Sequence, residues 1–202
     1  MATTAAPYGL RPVKRLDGLP YSGATSSYLI DPAGEATNLF YGQVVILGAD
    51  GYVALCTATG ADATTNNLGG SSIGALGVFV GCEYVNAQGQ VIFAQYYPSG
   101  TANGGPIKAY VVDDPFVLFQ AQLDGSGAQT IIGTNTLFPT VQSTSTGSTA
   151  TGNSTSALDA TVQVTAGAFR IVSFVSPTSD AFPDVLVAFS NGFHRYTNNV
   201  GL

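Results

Sequence analysis

Helix signals are almost absent from this chain of 202 residues, and that absence limits its architecture more than any other feature. Short runs rich in Val, Thr, Tyr and Phe recur along it, and 25 Gly and 10 Pro interrupt them before a helical period can develop. The runs predict strands at Ser26–Ile30, Gln43–Leu47, Gly51–Thr57, Leu76–Tyr84, Gln90–Tyr97, Ile107–Val112, Phe116–Gln122, Ala160–Thr165, Phe169–Val175 and Asp184–Ser190. Val117, Phe119, Ala121 and Leu123 alternate with Leu118, Gln120 and Gln122, the period-two pattern of a strand with one face buried. Turn chemistry separates the runs: Ala49-Asp50-Gly51 and Gln88-Gly89 close hairpins, and Asn103-Gly104-Gly105-Pro106 makes a longer loop. The expected fold is all-β, a small antiparallel β-barrel or β-sandwich body, with no βαβ units and no repeat of fixed period.

Two segments stand outside that pattern. Residues 1–40 read as an extended N-terminal arm and lead-in, followed by a β-rich body over residues 41–202. Pro7 and Pro12 disfavour helix around them, and Arg11, Lys14 and Arg15 supply half of the six cations of the chain. Residues 1–16 carry three cations and no acid, leaving three cations against twelve acids in residues 17–202. A basic strap suits an acidic protein surface, and the arm is expected to be separable from a body that folds without it. The second segment is the Ser/Thr-rich loop at residues 143–156, in which ten of fourteen residues are Ser or Thr. It offers a core nothing apolar, so it reads as solvent-facing and dispensable. Asn153-Ser154-Thr155 fits a glycosylation acceptor, a reading that needs a secretory signal the N-terminus does not show.

Composition narrows the functional classes. Hydrophobic content of 45% sets the chain apart from disordered proteins, whereas charged residues amount to only 9%, against roughly 25% in ordinary globular domains. A polar surface with few charges suits burial in a symmetric assembly. The acidic body and the three-residue basic cluster argue against nucleic-acid binding. No apolar run reaches the roughly 18 to 20 residues of a membrane span, and no membrane partner is expected. Cys56 and Cys82 sit in apolar surroundings and read as buried free thiols.

Catalytic patterns are thin. Gly70-Ser71-Ser72-Ile73-Gly74 matches a nucleophile-elbow spacing, and Ser72, Asp113 or Asp114, and the single histidine His194 follow a hydrolase order. The strand alternation of Leu76, Val78 and Val80 contradicts the helix that such an elbow requires. Asp113-Asp114-Pro115 could serve a glycosidase or a calcium ion, but neighbouring strand residues face opposite ways and an Asp before Pro commonly starts a turn. No catalytic residue, metal or cofactor is therefore expected. Tyr84, Phe93, Tyr96 and Tyr97 are candidates for a sugar-binding platform and, as the simpler alternative, for cross-strand packing.

Pro7-Tyr8-Gly9-Leu10-Arg11-Pro12-Val13 near the N-terminus resembles a family of tailed-bacteriophage head decoration, or capsid cement, proteins. The similarity continues through Gly18-Leu19-Pro20-Tyr21-Ser22-Gly23-Ala24, Gly77-Val78-Phe79-Val80-Gly81-Cys82-Glu83-Tyr84 and Tyr110-Val111-Val112-Asp113-Asp114-Pro115, and more loosely through Phe169-Arg170-Ile171-Val172. It fades in the Ser/Thr-rich part. The resemblance implies a structural virion protein, made in the host cytoplasm, that binds the outer surface of the head and stabilises contacts between major capsid protein subunits. A role of that kind suggests a homotrimer at threefold or local threefold positions. The expected capsid-binding arm comprises Pro7, Tyr8, Gly9, Leu10, Arg11, Pro12, Lys14 and Arg15. A receptor- or glycan-binding head surface protein is the alternative, and a glycoside-cleaving virion enzyme the third reading.

Overall fold

The computed structural model describes residues 4–31, 35–58, 74–100, 105–140, 142–143, 145–161 and 167–197. Within them the chain is nearly all β, with two sheets, two single turns of 3-10 helix and no α-helix. The strands are β1 (Arg11–Arg15), β2 (Ser26–Ile30), β3 (Val44–Leu47), β4 (Val53–Leu55), β5 (Gly77–Val85), β6 (Val91–Ala94), β7 (Ile107–Val112), β8 (Val117–Gln122), β9 (Asn135–Thr136), β10 (Phe169–Phe174) and β11 (Asp184–Phe189). The strand expected at Ala160–Thr165 lies largely outside the described residues.

One sheet closes on itself. Its order β3-β4-β2-β7-β5 returns to β3 through Val44↔Val78 and Val45↔Gly77, and β6 pairs with the second half of β5. Closure removes free edges from the ring, at the cost of one parallel contact between β2 and β4, Ile30↔Val53. Ile30, Val45, Val53, Leu55, Phe79, Cys82, Tyr84, Ile107, Ala109 and Val111 belong to the core of this barrel.

The second sheet, β1-β8-β11-β10-β9, packs on the outside of the barrel. Period-two alternation makes this possible, because the residues that turn away from the barrel core, Val44, Val78 and Val112, are neighbours of the inward Val45, Phe79 and Val111. They meet Val117, Phe119, Ala121 and Leu123 of β8 and its extension, the apolar face expected from the sequence. In β5 the phase must change midway, since Phe79 faces the barrel and so do Cys82 and Tyr84. A bulge between Phe79 and Gly81 makes that change, two residues opposing one on β7.

The arm is where the structure departs most from expectation. Residues 11–15 are extended, but as β1 they form a strand of the second sheet, paired antiparallel with β8 from Arg11↔Gln120 to Arg15↔Val117. β2, also within residues 1–40, is a stave of the barrel. Pro12 is tolerated because β1 is an edge strand with a register shift between Pro12 and Lys14. The chain then turns at Gly18 and comes back along β1, Arg15 N–H donating to Leu19 O and Tyr21 N–H to Val13 O.

Residues 143 and 145–156 form a loop, as expected, but a packed one. Thr146 accepts from Gln43 Nε2 at 3.0 Å, Ser154 N–H donates to Tyr41 O at 2.8 Å, and Ser154 and Ser156 are buried. Hydroxyls and backbone groups supply the contacts that apolar side chains supply elsewhere.

Candidate interaction surface

The Pro7–Arg15 motif divides into a buried half and a presented half. Leu10 is completely buried in the core between the two sheets. Gly9 has φ +75°, and a Cβ there would stand 2.6 Å from both Gly42 O and Ser154 Cβ, so any side chain would break the clasp between the N-terminal segment and the Ser/Thr loop. Burial, reinforced by the Asp184 carboxylate, pushes the Tyr8 phenol pKa up. Arg11 lies over the Tyr8 ring at 4.9 Å, a cation–π contact, with its side chain on the surface. Tyr8, Gly9 and Leu10 thus serve the chain's own fold; Arg11, Pro12, Lys14 and Arg15 retain exposed or half-exposed surface.

At the end of β1 the basic cluster meets acids of its own chain. Arg15 NH1 donates to Asp114 Oδ2 at 2.6 Å, and its Nε to Asp17 Oδ2 at 3.3 Å. Asp114 Oδ1 also accepts from Phe116 N–H at 2.9 Å, the local turn bond expected of an Asp before Pro. Asp113 turns the other way and accepts from Tyr28 Oη at 2.6 Å, which in turn shares a 2.7 Å bond with Tyr196 Oη. The two carboxylates therefore do not converge, as strand alternation predicts. Among the described residues no group of His, Cys, Asp and Glu could hold a metal ion.

Around this corner lies an apolar hollow that sequence reasoning missed. Leu16 and Phe116 line it together with Arg15 and Asp17, and Leu16 N–H donates to Phe116 O at 2.7 Å. Leu19, in the same turn, is 60% exposed, Leu16 55% and Phe116 54%. Leucines on both sides of Asp17-Gly18 were the available signal, since turn positions are ordinarily polar. An apolar centre rimmed by Arg15, Asp17 and Asp114 has the anatomy of a protein interface.

Apart from Ser72 and the exposed Phe93, the other candidate residues are accounted for within the fold. Ser72 lies outside the described residues. His194 is wholly buried against Phe189, ring centroids 5.1 Å apart, and its Nδ1 accepts from Tyr196 N–H at 3.2 Å. The carboxylate–imidazole bond of a hydrolase triad is not made, Asp113 being bonded to Tyr28 instead. Tyr84 and Tyr97 meet edge to face inside the barrel and Tyr96 stacks on Phe40, so of the four aromatics only Phe93 is exposed. Cys56 and Cys82 are free, lie in different cores, and burial pushes both thiols up to about 12.

His194 carries a pH prediction. Burial, partly offset by the Asp113 and Asp114 carboxylates, pushes its pKa from 6.5 down to about 4. The unfolded chain then binds a proton that the native imidazole refuses. The stabilising contribution is complete above pH 6.5 and is lost as the pH falls toward 4, a change of about 3 kcal/mol. Chemical denaturation from pH 7 to pH 4 should show this acid limb, and His194→Gln should flatten it. An unchanged limb in the variant would remove His194 as its source.

No protein-family profile, curated protein or solved structure matches this chain.

Proposed function

We propose that this chain is a structural decoration protein of a tailed-phage head, one that binds the outside of the shell and bridges major capsid protein subunits. The observation that carries the reading is the exposed hollow of Leu16 and Phe116, with the exposed Leu19 in the same turn, beside the basic edge of β1, on a chain with only 9% charged residues. Such a surface gains by being covered, and the resemblance of the surrounding Pro-Tyr-Gly-Leu-Arg-Pro-Val, Gly-Leu-Pro-Tyr and Asp-Asp-Pro segments points to a shell as the cover. The arm takes a different part in this proposal from the one its sequence suggests. Its buried half holds the body together, and Arg11, Lys14 and the turn after Arg15 face the partner. Binding at many equivalent sites makes modest individual contacts sufficient, without turnover or cofactor.

Shells assembled without this protein provide the test. Replacing Leu16 and Phe116 together by Ser should leave folding intact, because both side chains are more than half exposed. Retention on shells in a gradient should fall about thirtyfold in affinity, the equivalent of roughly 2 kcal/mol for loss of an interface anchor. Equal retention of the variant and the parent chain would move the interface elsewhere.

A further inference from the structure

The sheet edges are protected unequally. β1 carries Pro12, three cations and a register shift, and residues 19–21 cover it. β9 is only two residues long. β6 ends the barrel sheet with four residues, Val-Ile-Phe-Ala, that contain no charge, no Pro and no bulge. Val91 is 55% and Phe93 71% exposed, the latter the most exposed large apolar side chain among the described residues. A flat apolar edge of this kind is a template for another strand.

The hairpin fixes which backbone groups remain open. Asn86 N–H donates to Gln90 O across its base, and Val85↔Val91 is the next pair along. Hydrogen-bonded and non-hydrogen-bonded pairs alternate in an antiparallel ladder, so Ile92 and Ala94 bond to β5 while the N–H and C=O groups of Val91 and Phe93 point away from it. Among the described residues no other strand takes up those groups. The residues whose backbones are open are thus the residues whose side chains are exposed.

We propose that β6 pairs with β6 of a second copy of this chain, antiparallel across a twofold axis centred on Ile92, so that the barrel sheet runs from one subunit into the next. In that register Val91 opposes Phe93 of the second copy in a hydrogen-bonded pair, and Phe93 opposes its Val91, satisfying the open groups on both strands. Aromatic and β-branched side chains opposite one another are a favourable cross-strand pair. Charge selects the same site. Two acidic bodies repel, but residues 84–107 contain no charged residue, and the only acid of the neighbouring ladder, Glu83, is bonded to Tyr110 and paired with Lys108. A strand edge can pair with its own copy only through twofold symmetry, so this contact makes dimers and any threefold arrangement must use other surfaces.

Sedimentation velocity on the purified chain at micromolar concentrations tests the proposal. The expected species is a dimer, and Val91→Lys with Phe93→Lys should sediment as a monomer that keeps a cooperative thermal transition. Hydrogen exchange supplies a second readout: the Val91 and Phe93 amides should be protected in the dimer and exchange freely at concentrations where the parent chain dissociates. A parent chain that is monomeric or trimeric, or a lysine variant that remains dimeric, would overturn the pairing. So would unprotected Val91 and Phe93 amides in the dimer.

Discussion

Removal of residues 1–15 should abolish the native fold. The deletion takes away β1, leaves one side of β8 unpaired, and vacates the completely buried position of Leu10 between the two sheets. It also removes the Arg15–Asp114 ion pair and the Gly9 N–H bond to Ser156 O that ties the N-terminal segment to the Ser/Thr loop. The truncated chain should lose its cooperative thermal transition or accumulate as aggregate. Leu10→Ala isolates the packing component and should cost about 3 kcal/mol by chemical denaturation, within the range for emptying a buried leucine site. A soluble truncated body with the parent chain's transition would show that the strap is separable after all.

Exchanging residues 143–156 for a Gly-Ser linker should be nearly as damaging. Loop-closure entropy changes little with such a swap, so the loss comes from contacts. Gly147 lies against the Phe40 ring, where a Cβ would collide, and Thr146 and Ser143 engage the buried Gln43. Just before this segment Gln142 imitates a strand: its Oε1 accepts from Val44 N–H at 3.0 Å, and its Nε2 donates to Val44 O and Cys56 O. Stranding buried backbone groups costs roughly 1 to 3 kcal/mol each, so Gln142→Ala alone should produce a loss measurable by denaturation. Linker-swap and Gln142→Ala chains as stable as the parent would return the segment to the status of a surface loop.

These two results concern the places where composition misled. Pro7, Pro12 and three cations are poor material for a central strand, yet they are suitable for an edge strand, where an absent N–H and a charge do no harm. Within residues 1–16 Leu10, the apolar residue in the middle, is the one hint that separates an edge of the chain's own sheet from an arm bound to another protein. Ser and Thr in residues 143–156 suggested solvent because they bury no apolar area, whereas here they hydrogen-bond to Gln43 and Tyr41. A single glutamine that completes a sheet, such as Gln142, has no sequence signature.

Local periodicity was legible where one strand face is buried. β2 and β7 begin and end at the residues that their apolar runs indicate, and the inner face of β8 is the alternating set Val117, Phe119 and Ala121. The divergence of Asp113 and Asp114 followed from the same period. Barrel closure did not, because the pairing of β3 with β5 joins segments more than thirty residues apart. The apolar hollow escaped for a related reason: Leu16 and Phe116 are a hundred residues apart and meet only after β1 has paired with β8.

The proposed role is tested most directly by titrating the intact protein onto shells of major capsid protein assembled without it and measuring the bound copies by sedimentation and quantitative mass spectrometry. Binding should saturate at a fixed number of copies per shell and should persist in high salt, because the proposed contact is centred on the exposed Leu16, Leu19 and Phe116 and not on exposed charge. Failure to sediment with shells at any concentration, together with retention on immobilised glycans, would contradict the decoration role and favour a receptor-binding one.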